Sequence, residues 1–214
     1  MRVYKFLSAK FALENIEKRR LKTSEFTDMN DPYELSGGDL SDPEIANILI
    51  PYLQTVGVLC FSRKWNNPLL WSHYGDKHKG MCLGFDVNTS VVEVREPFYV
   101  EHRQRLGDVR AAHQKYLAGR RQEYQGIIEK MLLTKFQAWD YEDEVRVFLK
   151  LANQDGDYYF CLFDENIRLT QVIVGLRCTV PRNTIEEKLR DYPDHIEIVP
   201  AKLSLNSFEV VAAT

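Results

Sequence analysis

The sequence predicts an α+β fold: a mixed β-sheet core with flanking helices and one long helical insertion. Short apolar runs with strand spacing recur along the chain and dominate its final third. Stretches of three-four spacing separate them, the longest over residues 104–136. A hydrophobic fraction of 44% in 214 residues supplies a full core for a single domain over residues 1–214, with no need of a disulfide or metal staple.

Residues 2–7, RVYKFL, alternate as a strand does. Residues 9–20 read as a helix, with Phe11, Leu13 and Ile16 on one face and Ser8 as N-cap. Residues 23–44 are dense in Ser, Thr, Asp, Asn, Pro and Gly and read as loop, and Asn30-Asp31-Pro32 is turn chemistry. A short helix is expected over 42–53, with Asp42 as cap and Pro43 at its first position. A strand over 56–61, a turn over 65–68 and a short helix over 69–75 follow, then strands over 80–87 and 97–101. Between 104 and 136, Leu106, Val109, Tyr116, Tyr124, Ile127 and Met131 keep the spacing of an amphipathic helix. Gly119 and Gly126 can interrupt it, and its mixed charges mark a solvated face. The chain closes with strands over 144–151, 158–163 and 169–176, a helix over 183–189 capped by Asn183, and a strand over 196–205.

The formal charge of −3 and a pI near 6.0 give no bulk attraction to nucleic acid or to an anionic membrane. Cys60, Cys82, Cys161 and Cys178 show no C-x-x-C spacing, and the first three lie in apolar strand-like runs, as free thiols do. The N-terminus lacks an apolar signal core, and no stretch reaches the ~20 apolar residues of a membrane span. The expectation is a cytoplasmic protein with reduced thiols and no membrane contact.

Four segments carry polar or aromatic residues that a fold alone does not demand. In Asn30-Asp31-Pro32-Tyr33-Glu34 the first three residues suit a rigid turn, whereas Tyr33 and Glu34 are not needed by one. Ser62 stands where an apolar strand runs out into a loop, a usual place for a binding group. It lacks the G-x-S-x-G elbow, so Ser-His-Asp hydrolysis is not expected. Trp71 to Gly80 holds His73, Tyr74 and His78. The two histidines are five apart and lack a third ligand, so no metal site is expected. Trp71 and Tyr74, three apart on a helix, either wall a pocket or fill core. Last, Lys135 to Leu149 contains Glu142-x-Glu144-x-Arg146. If a strand begins near Glu142, all three project from one face, with the carboxylates roughly 7 Å apart and the Arg relieving their repulsion. Such coupling suits acid-base or cation-stabilising chemistry. A surface salt-bridge ladder on a half-exposed strand explains the same pattern without function.

Taken together, Tyr4-Lys5-Phe6, Asn30 to Glu34, Cys60-Phe61-Ser62, Trp71 to Tyr74 with Gly80, and Trp139-x-Tyr141-Glu142-x-Glu144-x-Arg146 resemble a widespread bacterial family of uncharacterised proteins. Its members share N-D-P-[FY]-E, C-F-S, W-x-x-Y…K-G and W-x-Y-E-x-E-x-R in this order, and the resemblance covers residues 4–176. More distantly, the order of a first strand, a helix, a loop, a strand ending in Ser and a late E-x-E strand is similar to ADP-ribosyltransferases. That likeness implies NAD as a substrate, with no cofactor held permanently. It implies Glu144 as the carboxylate stabilising the oxocarbenium ion formed as nicotinamide leaves, and Glu142 as the acceptor-activating carboxylate. Tyr4, Asn30, Asp31, Glu34, Ser62, Trp71, His73, Tyr74 and Arg146 then form the NAD pocket.

The principal expectation is therefore an NAD-consuming transferase or glycohydrolase acting on a small or macromolecular acceptor, of the defence or toxin-effector kind. A non-catalytic binding or regulatory module is the alternative, with residues 104–136 as a partner or dimer surface. A nucleic-acid-acting protein is a third, supported by Arg19-Arg20, Arg63-Lys64, Lys77 to Lys79 and Arg120-Arg121.

Overall fold

The computed structural model describes residues 1–25, 29, 31, 33, 43, 46–47, 50, 53–102, 111, 114–120, 122, 126, 129–130 and 132–213. Its strands in chain order are β1 (Arg2–Leu7), β2 (Arg20–Thr23), β3 (Val56–Ser62), β4 (Met81–Val87), β5 (Val94–Arg95), β6 (Phe98–Val100), β7 (Thr134–Phe136), β8 (Glu144–Lys150), β9 (Gln154–Asp155), β10 (Tyr158–Leu162), β11 (Ile167–Val174), β12 (Glu197–Leu203) and β13 (Val210–Ala212). The helices that fall wholly within the described residues include α1 (Ala9–Lys18), α2 (Pro68–His73) and α3 (Arg182–Leu189), with a 3-10 helix over Gln137–Glu142. The fold is α+β, with a large mixed sheet.

The main sheet has eight strands in the order β13-β12-β11-β4-β1-β3-β8-β5. Its ladders are antiparallel except β11–β12, which run parallel and are connected through α3. A small sheet β2-β10-β9 and a parallel pair β6–β7 flank it.

Strand alternation sorts the side chains into two faces. Val3, Leu59, Phe61, Leu83, Phe85, Val145 and Val147 point one way and are buried with Ala12 and Ile16 of α1 and Ile185 of α3. The opposite face carries Tyr4, Phe6 and Cys82, covered by Leu70 and Trp71 of α2. Trp71 is wholly buried, edge-on to the Phe6 ring at 5.2 Å, and its indole N–H donates to the Trp65 carbonyl at 2.7 Å. Burying so large a ring while keeping its one donor bonded makes α2 a firm lid on this face.

The two halves of the sheet are joined weakly at the centre. β1 pairs with β4 over the whole of Arg2–Leu7, and β3 pairs with β8 over Val56–Ser62. Between β1 and β3 the register is a single pair, Tyr4 with Ser62. Beyond it the strands part, and the Cys60 carbonyl takes the Lys5 ammonium at 3.0 Å where a ladder N–H would otherwise sit.

Several elements differ from the sequence expectation. α1 stops at Lys18 because Arg19 turns left-handed (φ 48°), and residues 20–23 become β2, where Leu21 and Thr23 are buried. α2 begins at Pro68, one residue into the expected turn, capped by the Asn67 side chain, which accepts the Leu69 N–H at 2.9 Å. Residues 114–117 are helical and Gly119 (φ 78°) breaks the run, but the expected helix does not reach 136, since Thr134–Phe136 is the strand β7 paired with β6. Pro181, not Asn183, occupies the cap position of α3. Among the described residues no helix is long and apolar enough to cross a membrane.

Candidate functional site

At the split between β1 and β3, polar residues from distant segments meet. The 3-10 helix ends at Glu142, and Asp143 (φ 45°) reverses the chain before β8 starts at Glu144. The reversal takes Glu142 off the strand, so the expected one-face row of Glu142, Glu144 and Arg146 holds only for the last two. Glu144 and Arg146 sit on the same side of β8, where Nε and Nη2 of Arg146 donate to Oε1 and Oε2 of Glu144 at 2.9 and 3.1 Å. The remaining Arg146 nitrogen, Nη1, donates to the Leu132 carbonyl at 3.0 Å. Lys135, on β7, places its ammonium between the carboxylates, donating to Glu142 Oε2 and, at 2.7 Å, to Glu144 Oε2. The Tyr74 hydroxyl, just past α2, donates to Glu142 Oε1 at 2.5 Å. The Tyr99 hydroxyl on β6 accepts the Glu144 N–H at 3.1 Å.

All four charged groups are buried, and Arg146 has 0% exposure, so this is not the half-exposed ladder that the E-x-E-x-R pattern also allows. Burial alone would push the Glu144 carboxyl up. The Arg146 and then the Lys135 charges outweigh it and hold the group at about 2. Burial pushes the Tyr99 hydroxyl up to about 12. Burial first, then Glu144, raises the Cys60 thiol, which is therefore a neutral wall group and no nucleophile at neutral pH.

Tyr74, Lys135, Glu142 and Glu144 of this network border a cavity of about 170 Å³. Tyr4 and Lys5 line it from β1, Cys60 and Ser62 from β3, and Tyr74, Lys135, Glu142 and Glu144 close it. Gly84 lies opposite Tyr4, and a Cβ there would press at 3.2 Å on the Tyr4 ring and at 3.1 Å on Gln171 Cβ, a tight contact that a small shift of either would relieve.

The other expected site residues fall elsewhere. Arg146 stands behind Glu144 and does not line the cavity, and Trp71 is core. His73 is exposed, its ring 6.2 Å from Tyr74 and 6.3 Å from Tyr141. Asp31 is buried with Oδ1 accepting the Tyr33 N–H at 2.8 Å, which is turn chemistry and not a cavity contact. Asn30 and Glu34 lie outside the described residues. Lys135, Lys5, Cys60 and Tyr99 were not among the expected site residues. The one sequence signal for Lys135 is a single charge set between Leu132-Leu133 and Phe136, which a solvated helix face does not require. Among the described residues no group of three or more His, Cys, Asp or Glu is placed to hold a metal ion.

An α+β domain whose central sheet is split over a charged cavity is the class that fold and site define. A family described as a protein of unknown function (DUF2971) matches residues 70–147. The matched stretch includes Trp71 to Gly80, Lys135 and Trp139 to Arg146, hence Tyr74, Glu142 and Glu144 as well, and leaves Asn30 to Glu34 and Cys60 to Ser62 outside. No curated protein and no solved structure matches the chain.

Proposed function

We propose that this chain is an NAD-consuming enzyme of the ADP-ribosyltransferase type, with the cavity between β1 and β3 as the seat of its chemistry. One observation carries it: Tyr4, Ser62, Tyr74, Glu142 and Glu144, scattered through the sequence, line a single cavity. At about 170 Å³ the cavity is smaller than the roughly 300–1,000 Å³ that buries a whole drug-sized ligand. It suits the nicotinamide-ribose end of the dinucleotide, with the remainder lying outside.

In such a reaction the bond between ribose C1′ and nicotinamide breaks, and its electron pair leaves on nicotinamide. The cationic ribose is stabilised by a fixed carboxylate until an acceptor lone pair closes on C1′ and the acceptor proton is lost to that carboxylate. The likeness to ADP-ribosyltransferases gives Glu144 the central role. The hydrogen bonding favours Glu142, whose carboxylate meets one ammonium and one phenol, whereas Glu144 is ion-paired through both oxygens. A ribose hydroxyl can replace the Tyr74 hydroxyl on Glu142, while Glu144 keeps Lys135 and Arg146 in place. Tyr4, Ser62 and Tyr74 form the nicotinamide wall.

The closed pairing of Glu144 with the wholly buried Arg146 favours a second reading, a non-catalytic binding module in which the ion network only braces the fold. Mass spectrometry of NAD incubated with wild type, Glu142→Gln and Glu144→Gln, with and without cell extract, separates the two. Nicotinamide released by wild type and not by a folded Glu142→Gln variant supports the enzyme. No release by wild type, together with no NAD binding by calorimetry, leaves the binding module.

A further inference from the structure

After α2 the chain makes a left-handed turn, in which Asp76 (φ 47°), Lys77 (φ 54°) and His78 (φ 69°) all take a conformation that residues with a Cβ rarely adopt. The turn is tied down on two sides. Toward α2, the His78 N–H donates to the Trp71 carbonyl at 3.2 Å, and the Gly80 N–H to the Gly75 carbonyl at 2.9 Å. Toward the end of β11, the Arg177 N–H donates to the His78 carbonyl at 3.0 Å. Gly175 packs so closely there that a Cβ would lie 2.4 Å from the His78 carbonyl oxygen. So held, the half-buried His78 ring lies 8° from parallel to the Trp71 indole, with 6.0 Å between centroids. Its Nδ1 is buried and has no hydrogen-bond partner.

We propose that His78 is an acid-sensitive latch on α2: uncharged, it holds Trp71 and the neighbouring Tyr74 in place over the cavity, and protonated, it releases them. A neutral imidazole can keep its proton on Nε2 and leave Nδ1 a bare lone pair, whereas an imidazolium carries N–H at both nitrogens. Protonation at Nδ1 therefore buries a charged donor that meets no acceptor among the described residues. The surrounding charges do not relieve it. Arg177, beyond β11, acts on the ring as a second cation, and α2 brings only the exposed His73. Asp76, Lys77 and Lys79 of the turn are exposed, and none of them bonds Nδ1. The Trp71 face attracts a cation, but burial first and then Arg177 hold the imidazole below its ordinary 6.5. With the folded value depressed, the latch is fully present above 6.5 and is lost as the pH falls from there through the folded value. Because the Tyr74 hydroxyl reaches Glu142, release also removes that donor from the cavity. The device goes beyond the enzymatic reading and does not depend on it.

The test is a pair of measurements on the intact chain. A long-range proton–nitrogen NMR titration of the histidines reads the protonation of each His78 nitrogen. Hydrogen exchange over residues 68–75, corrected for the intrinsic effect of pH, reads the opening of α2. In wild type Nδ1 should be bare at neutral pH, and the ring should titrate below 6.5. Opening should become about tenfold more frequent for each unit that separates the folded from the ordinary value, once the pH is below both. His78→Phe keeps a ring against Trp71 and cannot charge, so its α2 should not answer to acid. His73→Gln should respond as wild type does, and Arg177→Gln should move the His78 titration upward. A wild-type His78 that titrates at or above 6.5, or a wild-type α2 that does not open in acid, overturns the proposal. So does an acid response that persists in His78→Phe or disappears in His73→Gln. The wild-type titration decides the matter even where His78→Phe fails to fold.

Discussion

Lys135 and Glu144 meet at 2.7 Å inside the protein, with neither exposed to any useful extent. The parallel pairing of β7 with β6 puts Lys135 there, Tyr99 facing it in register while the Tyr99 hydroxyl holds the Glu144 N–H. A buried ammonium is tolerable only with anions at hand, and Lys135 has two. The network is thus a unit: each member is held by the charges of the others.

Glu144→Gln should destabilise the fold by about 3–5 kcal/mol, because it strands Arg146 and Lys135 without their shared anion. Urea unfolding followed by circular dichroism measures it. A loss under about 1 kcal/mol would mean that Glu142 alone suffices to balance both cations.

The same carboxylate sets an acid limb on stability. Its folded value of about 2 lies below the ordinary 4.5, so its contribution is fully present above about 4.5 and disappears as pH falls toward about 2. That gap corresponds to about 3 kcal/mol. Urea midpoints taken between pH 6 and pH 2 should show wild type and Glu144→Gln converging at the acid end. Parallel curves would assign the acid loss to other groups.

Tyr74→Phe keeps the ring and removes the donor to Glu142 Oε1. A cost of about 1.5–3 kcal/mol is expected, the range for a hydrogen bond to a charged group. If Glu142 exchanges this hydroxyl for a ribose hydroxyl, nicotinamide release should survive in Tyr74→Phe and vanish in Glu142→Gln. Equal loss in both would give Tyr74 a direct part in the chemistry.

Asp143 is left-handed (φ 45°) and turns the chain between the two carboxylates. Glycine adopts that conformation freely, and the partly exposed Lys64 pair lost with Asp143 is worth little. Asp143→Gly should therefore stay within about 1 kcal/mol of wild type. Asp143→Val, branched at Cβ, should cost about 1–2 kcal/mol or more and disturb both glutamates. Thermal melts of the pair of variants read the difference; equal melting temperatures would remove the turn from any role in positioning Glu142.

The long strands were legible because their own side chains carry the pattern: RVYKFL, VGVLCFS, MCLGFDV and EVRVFLK each put alternate residues on the two faces of one sheet. The short strands β5, β7, β9 and β13 have two or three residues each, too few for any period, and exist because a neighbour pairs with them. Ser62, Glu142 and Glu144 stood out as polar groups near the ends of expected strands, and Tyr4 through the family resemblance. Trp71 stood out for its chemistry, but its depth beneath α2 makes it core.

By itself the sequence determined the α+β class, the main strands and the carboxylate pair, since each is written in the period or chemistry of a few adjacent residues. Only the tertiary structure decided that β1 and β3 part beyond Tyr4 and Ser62, that Asp143 turns Glu142 off its strand, and that Lys135 closes the charge balance. Those outcomes depend on pairing and burial between segments far apart in the chain. In a buried site of opposed charges, the position of each group is set by partners that its own neighbours in sequence do not name.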